Sequence, residues 1–280
     1  MTLLFITAVQ DYFATIPDLH RTLILWGGLV FFYLIEYAIP LIRFQYKKFN
    51  HAGVNVFFTV TTIVVNVLLA FILLKASDYV TAHNFGLLYL INLSPWVFLI
   101  AGLLLLDLIG AYTVHYVEHK VKWMWKFHLI HHADTYVDVT TANRHHPGES
   151  IFRFVFTTMA VIITGAPMWL VMLYQSMSVV LSQFNHANIH LPAAIDKALA
   201  LIIVSPNMHK VHHHYEQPFT DSNYGNIFSF WDRIFGTYKS LQPKEIVYGI
   251  DTHLLPQENS AIGNLLKIPF QPYRAPKKKA

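Results

Sequence analysis

The sequence predicts an all-α, polytopic membrane protein with a cytoplasmic helical cap, and three observations carry that prediction. Of the 280 residues, 54% are hydrophobic and only 13% charged, with a mean hydropathy of +0.40. That charged fraction is about half the roughly 25% expected of a soluble domain. Several apolar runs reach the roughly 20 residues that a bilayer crossing requires. Thirteen of the 17 histidines crowd between His115 and His214, spaced three and four apart as on one face of a helix. No alternating pattern supports a sheet or a membrane barrel.

The apolar runs come in order. Leu23 to Leu41 carries Glu36 and ends near Pro40; Gly53 to Leu74 has no charge; Trp96 to Tyr116 has only Asp107. Ile151 to Ser182 has only Arg153, but Gly165-Ala166-Pro167 interrupts it, so two short helices are expected. The first of these spans only about 21 Å at 1.5 Å per residue, which suits a re-entrant hairpin better than a crossing. Lysines and arginines follow the first span (Arg43, Lys47, Lys48) and the third (Lys120, Lys122, Lys126), and close the chain (Lys277 to Lys279). The positive-inside rule then puts the N-terminus outside and the histidine-rich half in the cytoplasm. Met1 to Gln10 lacks a basic region typical of signal peptides. The division expected is an N-terminal membrane part (1–106), a histidine-rich part (107–240) containing the helix pair 151–182, and a proline-rich, mostly irregular cytoplasmic extension (241–280).

Composition also excludes chemistry. With no cysteine, there is no disulfide scaffold, thiolate metal site or cysteine nucleophile. The net charge of +4 and pI near 9.1 suit anionic lipid head groups, and so little polar surface argues against a nucleic-acid partner.

The histidines are ordered. His115 and His119 lie four apart; His128, His131 and His132 stand at i, i+3 and i+4; His186 and His190 repeat the first spacing, and His209, His212 and His213 the second. Each cluster can aim two or three imidazoles at one point. Ten imidazoles oversupply a single four-coordinate ion, so two metal ions are expected. Imidazole suits iron, zinc, copper and nickel alike. The first cluster reads His-x-x-Glu-His rather than the His-Glu-x-x-His of zinc proteases. All ligands must meet on one membrane face, which independently requires the 151–182 run to return to the side it left.

Other residues are weighed against plainer roles. His20, His51, His83 and His253 are expected to be core or interface histidines. His145, His146 and His214 are candidates for the site, either as ligands or behind them, and Asn185, Glu149 and Asn223 are candidates for supporting or substrate contacts. Asp107 lies eight residues before His115; a carboxylate inside a span suggests a catalytic role, or a structural bond to a neighbouring helix. Glu36 fits the structural reading. Trp123, Trp125 and Phe127 are expected to form an interfacial belt. Asp134, Asp138, Glu118 and Asp221 are further acids available to tune a metal.

These spacings, in this order after two membrane passes, resemble the fatty acid hydroxylase/sterol desaturase superfamily of membrane histidine-box di-iron oxygenases. The resemblance extends to Asp107, Tyr112 and His115 before the first box, to Arg144-His145-His146-Pro147-Gly148-Glu149, and to Asn223-Tyr224-Gly225 with Trp231 to Tyr238. It covers about Asp107 to Tyr238. It implies a dimetal centre above a lipid-accessible tunnel, two iron ions as working metals (zinc can occupy such sites on isolation), and O2-dependent hydroxylation or desaturation of a sterol, fatty-acyl or related lipid. The chain has no Gly-x-Gly-x-x-Gly dinucleotide signature, so electrons are expected from a separate donor such as ferredoxin or cytochrome b5 with its reductase, a pterin being another possibility. A metal-dependent lipid hydrolase and a non-catalytic metal transporter or sensor are the competing readings. The C-terminal lysines match an ER-retrieval pattern as well as a topology signal, leaving bacterial inner membrane and ER membrane both open.

Overall fold

A computed structural model of the chain describes residues 2–277. Lys278, Lys279 and Ala280, part of the basic tail used above, and Met1 lie outside the described residues. Helices dominate; among the described residues there is no β-strand, only isolated bridges such as Pro40 with Ile189.

Helix α1 (Thr2–Ala14), which hydropathy alone did not single out, packs on a later helix of the bundle. Among the described residues, three helices are long and apolar enough to cross a membrane: α2 (Asp18–Ala38), α3 (Lys48–Ala82) and α4 (Pro95–Lys120). The second is much longer than its uncharged stretch. Its first turns, rich in Lys48, Asn50, His51 and Asn55, reach the histidine-bearing region. Helix α4 begins with Pro95 at its first turn, where a missing N–H costs nothing, and carries a π-helical turn at Leu108–Thr113.

After α5 (Lys122–His132) comes the interrupted apolar run. Helix α6 (Pro147–Thr164) is capped by the His146 ring, whose Nδ1 accepts from the Gly148 N–H at 2.9 Å. It ends at Gly165, which has a φ of 80°. Helix α7 (Met168–His186) then runs back. A side chain on Gly165 would stand 2.4 Å from the Phe85 carbonyl oxygen, so glycine here serves both the left-handed turn and the close approach. The hairpin is seated among the spans: Phe154, Val161, Leu170 and Tyr174 form one buried cluster with Leu73 of α3 and Leu99 and Leu106 of α4.

Short helices complete the chain: α8 (Ala193–Leu199), α9 (Pro206–His212), α10 (Phe230–Ile234), α11 (Pro256–Asn259) and α12 (Ile262–Lys267). Arg144 explains why the C-terminal segment stays on the body. Its buried guanidinium donates to the Ile130 carbonyl (3.0 Å), Asn55 Oδ1 (2.9 Å) and the Asn259 carbonyl (2.6 Å). A buried charge kept by three acceptors ties three distant stretches together. Glu36 makes a comparable tie. Its Oε1 accepts from the Val139 N–H (2.6 Å) and the Asn188 N–H (2.7 Å), in keeping with the structural reading.

Candidate metal centre

Four helix C-termini meet at one place, and each brings histidines in its last turns: His115 and His119 on α4, His128, His131 and His132 on α5, His186 on α7, and His209 and His212 on α9, with His213 just beyond. The partial negative charge of a helix C-terminus favours a cation, so the backbone itself pre-sets the sign of the site.

Nine of the ten patterned histidines fall into two groups. His115, His119, His128, His132 and His212 present ring nitrogens within 4.8 Å of one another; His131, His186, His209 and His213 do the same. All nine are buried. The tenth, His190, is not brought in. Helix α7 ends at His186, so the four-residue spacing no longer keeps one face; the His190 N–H donates to the Ile39 carbonyl and its residue is exposed.

Hydrogen-bond partners fix the tautomers. The Nδ1 atoms of His115, His128, His186 and His212 face Tyr224 O (2.9 Å), Glu149 Oε1 (2.7 Å), Ser182 O (2.8 Å) and Ser222 O (2.6 Å). Carbonyls and carboxylates only accept, so each Nδ1 carries the hydrogen and each Nε2 is a bare lone pair. His119 Nδ1 stands 3.2 Å from Asp221 Oδ1, which implies the same. Yet His115 Nε2 lies 3.2 Å from His128 Nε2, with no hydrogen left to share between them. His186 Nε2 faces three further Nε2 atoms, of His131 (3.1 Å), His209 (3.0 Å) and His213 (3.3 Å). The Nε2 atoms of His119 and His212 are buried without any partner. In the first group, lone pairs packed this way repel one another unless a cation sits among them; in the second, the single His186 lone pair cannot serve three rings whose Nδ1 atoms are also buried without a partner, so both groups fit a metal ion.

The electrostatics agree. Burial, and then the neighbouring imidazoles, hold His131, His132, His209, His212 and His213 well below the ordinary imidazole range. Burial takes His128 down to about 3 despite the Glu149 carboxylate. Neutral imidazole is the form that binds a metal. The donor set contains no carboxylate, so acids stand one step back. Glu149 Oε1 takes His128 and the Arg153 guanidinium (2.9 Å) and lies 2.8 Å from His145 Nδ1, while Arg153 also pairs with Glu118 (2.7 Å). Burial pushes the Asp221 carboxyl up, but its bonds to His119 and Lys120 hold it below the usual carboxylate range. Asp134 and Asp138 instead face His51, Tyr46 and the Val139–Asn143 turn.

The remaining candidates are placed as follows. His145 belongs to neither group; its ring lies 4.8 Å from that of His131 and it bridges to Glu149. His146 caps α6. His214 Nδ1 accepts from the Val247 N–H at 3.1 Å, away from both groups. Asn223, at φ 54°, donates to the Met208 and Lys239 carbonyls and accepts from the Lys239 N–H, pinning its loop to α9. Asn185 lines a cavity of about 40 Å³ between the groups, with His115, His131, His186 and Arg153. Its Nδ2 donates to the Asn226 carbonyl, and its buried Oδ1 has no partner. Trp125 covers the first group, its ring 4.7 Å from His119 and 5.3 Å from His132, whereas Trp123 is exposed.

Asp107 lies in neither group. Its carboxylate accepts from the Ile227 N–H (3.2 Å), the Phe228 N–H (3.1 Å), Trp231 Nε1 (3.1 Å) and the Tyr174 hydroxyl (3.3 Å). The π-turn that follows breaks the simple eight-residue phasing with His115. Asp232 does related work, accepting from the Tyr224 and Gly225 N–H groups (2.7 and 2.9 Å) and so fixing the carbonyl that orients His115. Arg153 was the residue that spacing did not bring forward, although a lone cation four residues after Glu149 is a usable signal.

Residues 99–237 match the fatty acid hydroxylase family. Over that stretch, just under half of its length, the chain is similar to that family. Among its relatives, an ornithine lipid hydroxylase of Rhizobium tropici is 24% identical over 51% of this chain and 43% of its own length. The human alkylglycerol monooxygenase is 30% identical over 57% of this chain and 34% of its own, and a cholesterol 25-hydroxylase-like protein of Danio rerio 29% over 50% and 54%. The chain thus spans between about a third and about half of the curated relatives it matches. No solved structure matches it. The family match begins within α4 and ends at Thr237, so it takes in both histidine groups and the Asp107 and Asp232 anchors.

Proposed function

We propose that this chain hydroxylates a membrane lipid with dioxygen at a pair of iron ions. His115, His119, His128, His132 and His212 hold one ion, and His131, His186, His209 and His213 the other. The observation that carries the proposal is the set of Nε2 lone pairs turned toward one another, with several of their hydrogens committed elsewhere. Hydroxylation is preferred to desaturation because the named relatives are hydroxylases and monooxygenases.

Bound iron would supply the redox chemistry that side chains lack, activating dioxygen against an aliphatic C–H bond. The chain's own residues do the rest. Glu149, Asp221 and the Tyr224, Ser222 and Ser182 carbonyls hold five imidazoles in the metal-binding tautomer. Glu149 and Asp221 set negative charge around an otherwise neutral donor set. Trp125 shields the first group from water. The small cavity, bordered by Ala111 and Gly225 as well as by histidines, leaves room for a small molecule beside both groups. Insertion of one oxygen atom into C–H, with the other leaving as water, consumes two electrons and two protons, which a separate ferredoxin- or cytochrome b5-type donor would bring. The basic residues after α2 and α4 support a cytoplasmic side for the metal end of the bundle under the positive-inside rule.

The test is lipid product analysis with the purified protein, iron, a reductant and candidate lipids, beside His131→Ala. Oxygen-dependent hydroxylated product that His131→Ala abolishes supports the proposal. Turnover without oxygen would favour the metal hydrolase, and metal flux without lipid product the transporter.

A further inference from the structure

We propose that residues 199–204 and 230–235, on the membrane side of the histidine groups, are immersed in the hydrocarbon of the bilayer, so that acyl chains are their contact partner. This goes beyond the hydroxylase reading and rests on Pro95–Lys120 being a span.

Depth comes from Asp107. It sits in the middle of that helix, roughly 8 Å from the water boundary if Tyr112 marks it and roughly 20 Å if Lys120 does, at 1.5 Å per residue. Whatever bonds directly to Asp107 shares its depth. Phe228 and Trp231 do so at 3.1 Å. Phe235 then stacks on Tyr112 of the same helix, with ring centroids 5.2 Å apart. The stretch 199–204 is tied to this segment in turn: Ser229 bonds the Ala200 and Ile202 carbonyls at 2.7 and 3.1 Å, and the Val204 N–H bonds the Ile227 carbonyl at 3.0 Å.

Apart from Arg233, the surface facing outward from these ties is apolar. Leu201, Ile202, Ile234 and Phe235 are 65%, 63%, 64% and 53% exposed. In water, four large apolar side chains this exposed would be costly. At this depth it meets lipid.

Backbone chemistry gives an independent argument, because an irregular segment survives in hydrocarbon only if its polar groups are paired internally. Here the N–H groups of residues 201 to 204 bond to the carbonyls of residues 198, 199, 199 and 227, and those of residues 235 to 238 to the carbonyls of residues 231, 233, 232 and 232. Asp232 is fully buried with three donors. Arg233 turns its guanidinium back over the Tyr238 ring, 4.4 Å away, and donates to the Ser229 carbonyl. Lys197 has a stem long enough to snorkel.

The absence of cysteine makes the test direct. Leu201→Cys, Ile234→Cys, Phe235→Cys, a span control Ile100→Cys and a water control Lys244→Cys are placed in phosphatidylcholine–phosphatidylglycerol vesicles. Reaction with a charged maleimide is followed, together with quenching of an attached bimane by lipids brominated on their acyl chains. The proposal expects the three test positions to react at least tenfold more slowly than Lys244→Cys and to be quenched like Ile100→Cys. Labelling as fast as Lys244→Cys overturns it. Slow labelling without quenching also overturns it, since protein rather than lipid then covers the patch. If Ile100→Cys itself labels fast, the span fails and the proposal with it. Slower reaction that equalises once the chain is unfolded in dodecyl sulfate shows that burial, not thiol chemistry, sets the rates.

Discussion

Replacing Asp107 separates an anchor from a group that touches reacting atoms. In Asp107→Asn, each oxygen position already faces a backbone N–H: Oδ1 faces Ile227, and Oδ2 faces Phe228 together with the Trp231 indole. The new amide NH2 must turn a donor toward one side. Toward Ile227 is the lesser cost, since the Tyr174 hydroxyl on that side can rotate and accept. One buried N–H is then stranded, at about 1–3 kcal/mol, and the remaining bonds lose their charge assistance. The sum is roughly 2–4 kcal/mol. Asp107→Ala strands all four donors and is expected to cost more. The segment released carries Asp232, which orients the Tyr224 carbonyl behind His115, so metal retention should weaken together with stability. The assay is thermal unfolding in detergent alongside metal content per chain and lipid product formation. The expected order for both stability and metal content is wild type, then Asn, then Ala, with activity tracking metal. An Asn variant with unchanged melting and full metal but no product would refute the anchoring argument and put Asp107 at the chemistry.

Further expectations follow from the same geometry. His190→Ala should leave metal content unchanged, whereas His186→Ala should lower it by about one ion per chain, read by elemental analysis. Arg144→Met leaves three acceptors and the nearby Asp134 carboxylate without their cation, so a loss of about 3–5 kcal/mol is expected in thermal unfolding. The depressed imidazoles set a pH dependence: below about pH 6.5 the unfolded chain takes up protons that the buried rings refuse, so metal-free stability should fall progressively as pH drops from 6.5. It should be level in those groups above that. A metal-free stability rising on acidification would contradict the burial.

How far the site was legible depends on whether local periodicity survives. Histidines three and four apart reach the site wherever the helix continues through them, as on α4 and α5, although the histidines of α5 and of the 209–213 stretch divide between the two groups. The same spacing misleads at His190 because α7 stops at His186, and nothing in Asn185 to His190 announces the stop. Gly165-Ala166-Pro167 was readable as a break, since glycine and proline act locally. The roles of the acids were not. Glu149 joins His128 from 21 residues away and Asp221 joins His119 from 102 away, and only packing decides such partners. Asp107 was readable as a functional acid or as a structural bond to a neighbouring helix, because a carboxylate in a span is costly; its partners, at 227, 228 and 231, come from a segment whose return into the bundle no periodicity encodes. The C-terminal extension, expected to be mostly irregular from its prolines, carries the short helices α11 and α12, and Arg144 ties it to the body through a backbone carbonyl, which has no sequence signature.

The most direct measurement is the iron stoichiometry of protein purified from iron-supplied cells, with the coordination shell read by X-ray absorption. The account predicts about two ions per chain, each surrounded by imidazole nitrogen, falling toward one in His186→Ala. A single ion per chain, or none, in protein that is folded and fully supplied would contradict it.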